Sequence, residues 1–205
     1  MKTSLCLFLL LFSFFLHAQD NVSTINEVFT SYQAAVVNDK GIEAAQYLDS
    51  HSIAYFNKIL ENVRSADSVA LESLSLPEKF NVLMVRHLST KKEIMALTPQ
   101  KLAAFNYTHG WGGKDDLQDA TLGKVKIKNN TATAPLVKDG KKTDTTYTFY
   151  LEGSEWKIDI TPFVHEGEKD FQDMLQGKSE NEFIFGMLEL MSGKTPSRSI
   201  WKKVI

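Results

Sequence analysis

Between Lys124 and Ile160 the apolar residues recur with a period of two, and the pattern is interrupted three times by turn residues. No other feature of the chain restricts its fold as strongly. Val125 and Ile127 alternate with Lys124, Lys126 and Lys128, and Ala132, Ala134 and Leu136 repeat the parity. Tyr147, Phe149 and Leu151 follow, and Trp156, Ile158 and Ile160 close the series. Successive side chains of a strand point to opposite faces, so each segment has one apolar and one polar face. Asn129-Asn130, Asp139-Gly140 and Gly153-Ser154 separate the segments and suit tight turns that need positive φ. The pattern predicts a four-stranded antiparallel meander with one face that must be covered.

Helices supply the cover. Ile25, Val28, Phe29, Tyr32, Ala35 and Val36 share one face of a helix expected from about Ser23 to Asn38. A short helical piece through Ala44, Ala45, Tyr47 and Leu48 follows, and Ser52 to about Leu74 reads as more helix. Ser75-Leu-Pro-Glu78 and Thr90-Lys-Lys-Glu93 have the capping-box form, in which side chains three apart satisfy the first free N–H groups. Thr98-Pro99 is a cap followed by a proline whose missing N–H costs nothing at a helix start. After the strands, Ser179-Glu-Asn-Glu182 opens a helix with Phe183, Ile184, Met187, Leu188 and Met191, closed by Gly193. The expected class is α+β: N-terminal helices packed on a curved four-stranded antiparallel meander, with a C-terminal helical extension. One domain is expected over 19–205, with a helical insert at about 75–110 and a helical tail at about 162–205.

Residues 1–18 read as a secretory signal: Lys2, an apolar run from Leu5 to Leu16, and a cut after Ala18. The run is too short for a membrane anchor, which needs about 20 apolar residues. The chain is therefore expected to be exported, to the periplasm or beyond. Removing the signal takes away Lys2 and Cys6, so the net charge moves from −2 to −3 and no cysteine is left. Disulfides and cysteine-based zinc sites are excluded, and the acidic balance offers nothing to nucleic acid.

Two segments, "VFTSYQAAVVNDKGIEAAQYL" (Val28 to Leu48) and "FYLEGSEWKIDI" (Phe149 to Ile160), bracket helices followed by a curved meander. In that order, over roughly Ile25 to Ile160, the chain resembles bacterial members of the nuclear transport factor 2-like superfamily. The resemblance implies a cone in which a bent sheet wraps a long helix and leaves a pocket. Its members include ketosteroid isomerases, dehydratases, polyketide cyclases and many non-catalytic binding modules, so it implies a fold more than an activity.

Candidate site residues are few. "NYTHGWGGKDD" (Asn106 to Asp116) combines Tyr107, His109 and Trp111 with three glycines, as a ligand-gripping loop or as a helix end whose aromatics pack on the sheet. Tyr147, Phe149 and Trp156 face the side where a pocket would lie. Asp159 shares its strand face with Lys157, which sends it to solvent as half of an ion pair unless a bulge reverses the parity. Asp49 and His51 suggest a dyad or part of a metal site, but residues two apart on a helix face different ways, and Asp49 also suits a helix cap. His87, His109 and His165 have no metal-ligand spacing. No metal and no cofactor is expected. The reading is an exported, non-enzymatic binding module for a small apolar ligand or a protein partner. The alternatives are a cofactor-free isomerase or dehydratase using His109, Tyr147 or Asp49, and a structural or assembly protein.

Overall fold

The computed structural model describes residues 21–110 and 112–205, with His165 and Glu166 described by their backbone alone. Residues 1–18, read above as an export signal, and Trp111 lie outside that set. Helix α1 occupies residues 21–37 and buries Ile25, Phe29, Tyr32, Ala35 and Val36, the face set by their spacing. Asp39, at φ 57°, ends it. Helix α2 (Gly41–Ala45) comes so close to α7 (Pro99–Thr108) that a Cβ on Gly41 would lie 2.2 Å from the Ala104 carbonyl oxygen.

The helix expected from Ser52 to Leu74 is two helices, α3 (Ser50–Ser65) and α4 (Ser68–Glu72). Asp67 is the reason: its carboxylate accepts from the N–H groups of Val69 and Ala70 and starts a new helix, while Ala66 is extended. The other start signals hold. Helix α5 (Leu76–Leu88) begins after Ser75, whose N–H donates to Glu78. Thr90 and Glu93 cap α6 (Lys91–Ala96) reciprocally, and Thr98 caps α7. Helix α8 (Lys114–Leu117) is a single turn.

The meander is antiparallel throughout. Strands β3 (Thr131–Lys138), β4 (Lys141–Glu152) and β5 (Glu155–Asp159) follow in order, with turn residues Asn129, Asp139, Gly140 and Gly153 at positive φ. The fourth position is a split edge: β1 (Thr121–Leu122) pairs with Leu136 and Val137, and β2 (Lys126–Lys128) with Thr131 to Thr133. Gly123 joins them by donating to the Pro135 carbonyl at 2.8 Å, and a Cβ there would press on the Pro135 ring at 2.9 Å. Val125 and Ile127, expected to be inside, are half-buried on this edge.

The inner face of β3, β4 and β5 (Ala132, Ala134, Leu136, Tyr147, Phe149, Trp156 and Ile158) is buried. Phe29 meets Tyr147 edge-on at 5.1 Å between ring centres, so α1 lies along this face. Helix α5 is buried over nearly its whole length, which makes the segment read as an insert the centre of the helical layer. Within it, Arg86 donates to the carbonyls of Asn62, Val63, Ala66 and Ile200 at 2.7–2.9 Å. Burial pulls its guanidinium down to about 10.

The tail packs on the body. Helix α9 (Thr161–Met174) sets Phe163 against Tyr147 and Phe171 against Phe80. Helix α10 (Glu180–Ser192) buries Phe183, Ile184 and Leu188, and a 3-10 turn (Arg198–Trp201) buries Ile200. Among the described residues no helix is long and apolar enough to cross a membrane.

Candidate functional site

The densest chemistry lies where β5 ends. Residues 47–49 run alongside this strand as a parallel bridge: Ile158 N–H donates to the Tyr47 carbonyl at 2.7 Å, and Asp49 N–H to the Ile158 carbonyl at 3.0 Å. Asp49, the cap of α3, therefore comes beside Asp159, the last residue of β5. Ser52 locks the junction: its hydroxyl accepts from Ile160 N–H at 2.9 Å and donates to the Ile158 carbonyl at 3.3 Å.

Each aspartate uses one oxygen to start a helix. Asp49 Oδ1 accepts from Ser52 N–H at 2.8 Å, and Asp159 Oδ1 accepts from the backbone N–H and hydroxyl of Thr161 at 2.8 and 2.7 Å. The second oxygen of Asp49 meets His51 Nδ1 at 2.6 Å. Both carboxylates are buried, Asp49 at 0% and Asp159 at 7% exposure, whereas the His51 side chain is 59% exposed with its ring against Tyr150. The Asp49 hydrogen bond holds the imidazole above its ordinary value; slight burial opposes this, and the charges of Asp49, Asp159 and Glu152 add to it. Chemically, the pair is an imidazole oriented by a buried carboxylate, with Nε2 left for proton transfer.

Two expectations are corrected here. Asp49 and His51 do meet, because Asp49 has extended backbone (φ −78°, ψ 174°) and lies outside the helix whose geometry would part them. Its roles as cap and dyad member coexist. Asp159 keeps the parity read from the strand, opposite Trp156 and Ile158, but that face is not solvent. The starts of α3 and α9 cover it, and Lys157 turns to Glu155 at 2.6 Å and to the Gln46 carbonyl at 3.0 Å. The local signal was Asp-x-Thr-Pro, an acid three residues before a helix-starting proline.

Of the described residues nominated for a pocket, four are packed into the core and His109 folds onto its own helix. Tyr107 is buried with its hydroxyl 3.1 Å from that of Tyr32, and burial pushes both phenols up. Tyr147 and Phe149 are packed in the same core, and Trp156 donates to Asn21 at 3.2 Å. His109 ends α7 with Nδ1 on the Phe105 carbonyl at 2.7 Å and its ring stacked on Phe105, so it folds back on its own helix.

Two concavities open on other surfaces. A groove of about 380 Å³ is lined by Tyr55 and Lys58 of α3, Ser75 and Glu78 at the start of α5, and Thr161, Val164 and Glu168 of α9. Lys58 pairs with Glu78 at 3.0 Å. The Tyr55 hydroxyl is buried without a hydrogen-bond partner, as are both amide atoms of neighbouring Asn81. Burial, then the Glu78 charge, pushes the Tyr55 phenol up, against the nearby Asn81 amide. A shallower cleft lies between α10 and the 3-10 turn, where Phe185 and Trp201 stack. No protein-family description, curated protein or solved structure matches this chain.

Proposed function

We propose that this chain is an exported, non-enzymatic binding module that takes a small polar ligand in the groove between α3, α5 and α9. The observation that carries the reading is the Tyr55 hydroxyl, buried at the wall of that groove beside the Asn81 amide, where neither group completes a hydrogen bond of good geometry. An unsatisfied buried hydroxyl is costly, by about 1–3 kcal/mol, and a ligand that accepts or donates there recovers the cost. Lys58, Glu78, Ser75 and Thr161 add further polar groups around it. An apolar ligand held in the curl of the sheet has less support, since Phe29, Tyr32, Tyr107, Tyr147 and Phe149 occupy that space with one another.

The test is a heteronuclear NMR screen of the purified chain against a library of polar metabolites. Shifts are expected at the amides of Tyr55, Lys58, Ser75 and Thr161, with affinity lowered roughly 10-fold in Tyr55→Phe, the worth of one hydrogen bond. Shifts centred on Ala134, Phe149 and Trp156, or an apolar molecule extracted with the protein, would overturn the groove reading. N-terminal sequencing of the protein from its native culture tests the export signal, with Gln19 expected first.

A second reading, catalysis, rests on the Asp49–His51 dyad, whose imidazole is largely exposed to solvent. Turnover that is lost in His51→Ala but kept in Tyr55→Phe would favour it.

A further inference from the structure

We propose that Asp49, His51 and Asp159 form a binding site for a divalent transition-metal ion of the zinc class. One ligand atom from each residue lies within 4.8 Å of the other two. Tetrahedral coordination at bonds of about 2.0–2.2 Å sets ligand atoms about 3.3–3.6 Å apart. The set is somewhat pinched at the Asp49–His51 pair, 2.6 Å, and somewhat wide overall. An ion seated between the two takes the place of the proton they share and opens that contact. His51 is the ligand free to adjust, because its side chain is largely exposed.

Helix capping explains only half of this arrangement. Each aspartate caps with Oδ1 alone. Asp49 Oδ2 goes to His51, and Asp159 Oδ2 takes no hydrogen bond among the described residues; it is not one of the sealed-in polar atoms, so an ion arriving from solvent can reach it. Two buried carboxylates side by side repel each other unless a cation lies between them. Among the described residues neither pairs with a lysine or arginine: Lys157, the nearest in sequence to Asp159, is held by Glu155 and Gln46, and Glu152 adds a further negative charge close by. Apart from the His51 imidazole the described residues bring no cation to the two carboxylates, and Asp159 Oδ2 is open to a ligand bond.

The ligand types select the ion. Calcium takes six to eight oxygens and magnesium keeps an octahedron largely of water, whereas one imidazole with two carboxylates suits zinc or a neighbouring first-row ion. Three protein ligands leave at least one position open at the exposed His51 side, so the ion is accessible and not sealed in the core. This site is independent of the Tyr55 groove. Either can fail while the other stands.

The test uses the full chain, stripped with chelator and titrated with zinc chloride by calorimetry, with thermal melting in parallel. One zinc per chain is expected, with a rise in melting temperature. His51→Ala, at an exposed position of the first turn of α3, should fold normally and bind at least about 10-fold more weakly. Asp159→Asn keeps an oxygen for Thr161 while removing the charge, so it should keep the apo melting temperature and lose zinc affinity to a similar degree. Zinc bound equally well by both variants, or no saturable binding by the parent chain, would overturn the proposal.

Discussion

Lys79 presents a test of how this fold tolerates a charge in its interior. It sits on α5 with its side chain 1% exposed, and its ammonium meets Glu72 at 2.9 Å and Glu180 at 2.7 Å, tying α4 and α10 to the central helix. Burial pulls the ammonium down, but the hydrogen bonds it donates to Glu180 and Glu72 outweigh this and hold Lys79 above the ordinary lysine value. Removing the carboxylate charges and removing the lysine are therefore different perturbations. In the double variant Glu72→Gln, Glu180→Gln the ammonium stays buried without a counter-charge. Breaking a buried pair in this way costs about 3–5 kcal/mol. Here the carboxylates are 54% and 39% exposed, so water already screens part of the attraction, and about 2–3 kcal/mol is the expected loss. Lys79→Met keeps the unbranched stem in the same channel and returns two half-exposed carboxylates to water, at a cost below about 1 kcal/mol. Urea titration followed by circular dichroism measures both. The double variant should lose the larger part of its midpoint while the slope stays constant. If Lys79→Met proves the more destabilising by 1 kcal/mol or more, the pair is a net source of stability and the desolvation argument is wrong.

Three further outcomes follow from the packing. Gly41→Ala drives a methyl group into the Ala104 carbonyl oxygen and should destabilise by about 3 kcal/mol in the same urea assay, since the obstacle is backbone and cannot turn aside. Truncation after Ile160 removes Phe163 from Tyr147, Phe171 from Phe80, and the buried Phe183, Ile184 and Leu188, each worth about 1.5–3 kcal/mol; the product should show no cooperative melting transition. Stability should also depend on pH through the Lys79 cluster. The Lys79 hydrogen bond holds the Glu72 carboxyl below the usual carboxylate value of 4.5, so its contribution is complete above that value and is lost as pH falls through the lower folded value. Lys79 has the opposite sign: its contribution is present below 10.5 and is lost as pH rises through the raised folded value. Melting temperatures measured from pH 3 to 11 should fall at both ends, and Glu72→Gln should flatten the acid side.

What the sequence determined by itself was everything closed over a few residues. The capping boxes at Thr90 and Ser179, the Thr98-Pro99 start, the Gly193 stop and the turns at Asn129, Asp139 and Gly153 all appear where their residues place them. These signals are legible because each satisfies backbone groups within one turn, whatever the rest of the chain does. The strand parities held for the same reason, and the inner face of β3 to β5 is the one the alternation marks. The single missed break, at Ala66, was equally local: Asp67 is a cap that an uninterrupted apolar period concealed. What lies on the other face of a strand is a different kind of question. Asp159 was read as solvated because alternation reports two faces and not what covers them. The tertiary structure decided that α3 and α9 cover it, and that a bridge from Tyr47 to Asp49 along β5 brings together carboxylates more than a hundred residues apart in sequence. The same holds for Lys79 and for the Tyr55 groove, each of which exists only where three helices converge. Periodicity shows which side of an element needs a partner. Only packing, which sums many weak non-local contacts, selects the partner.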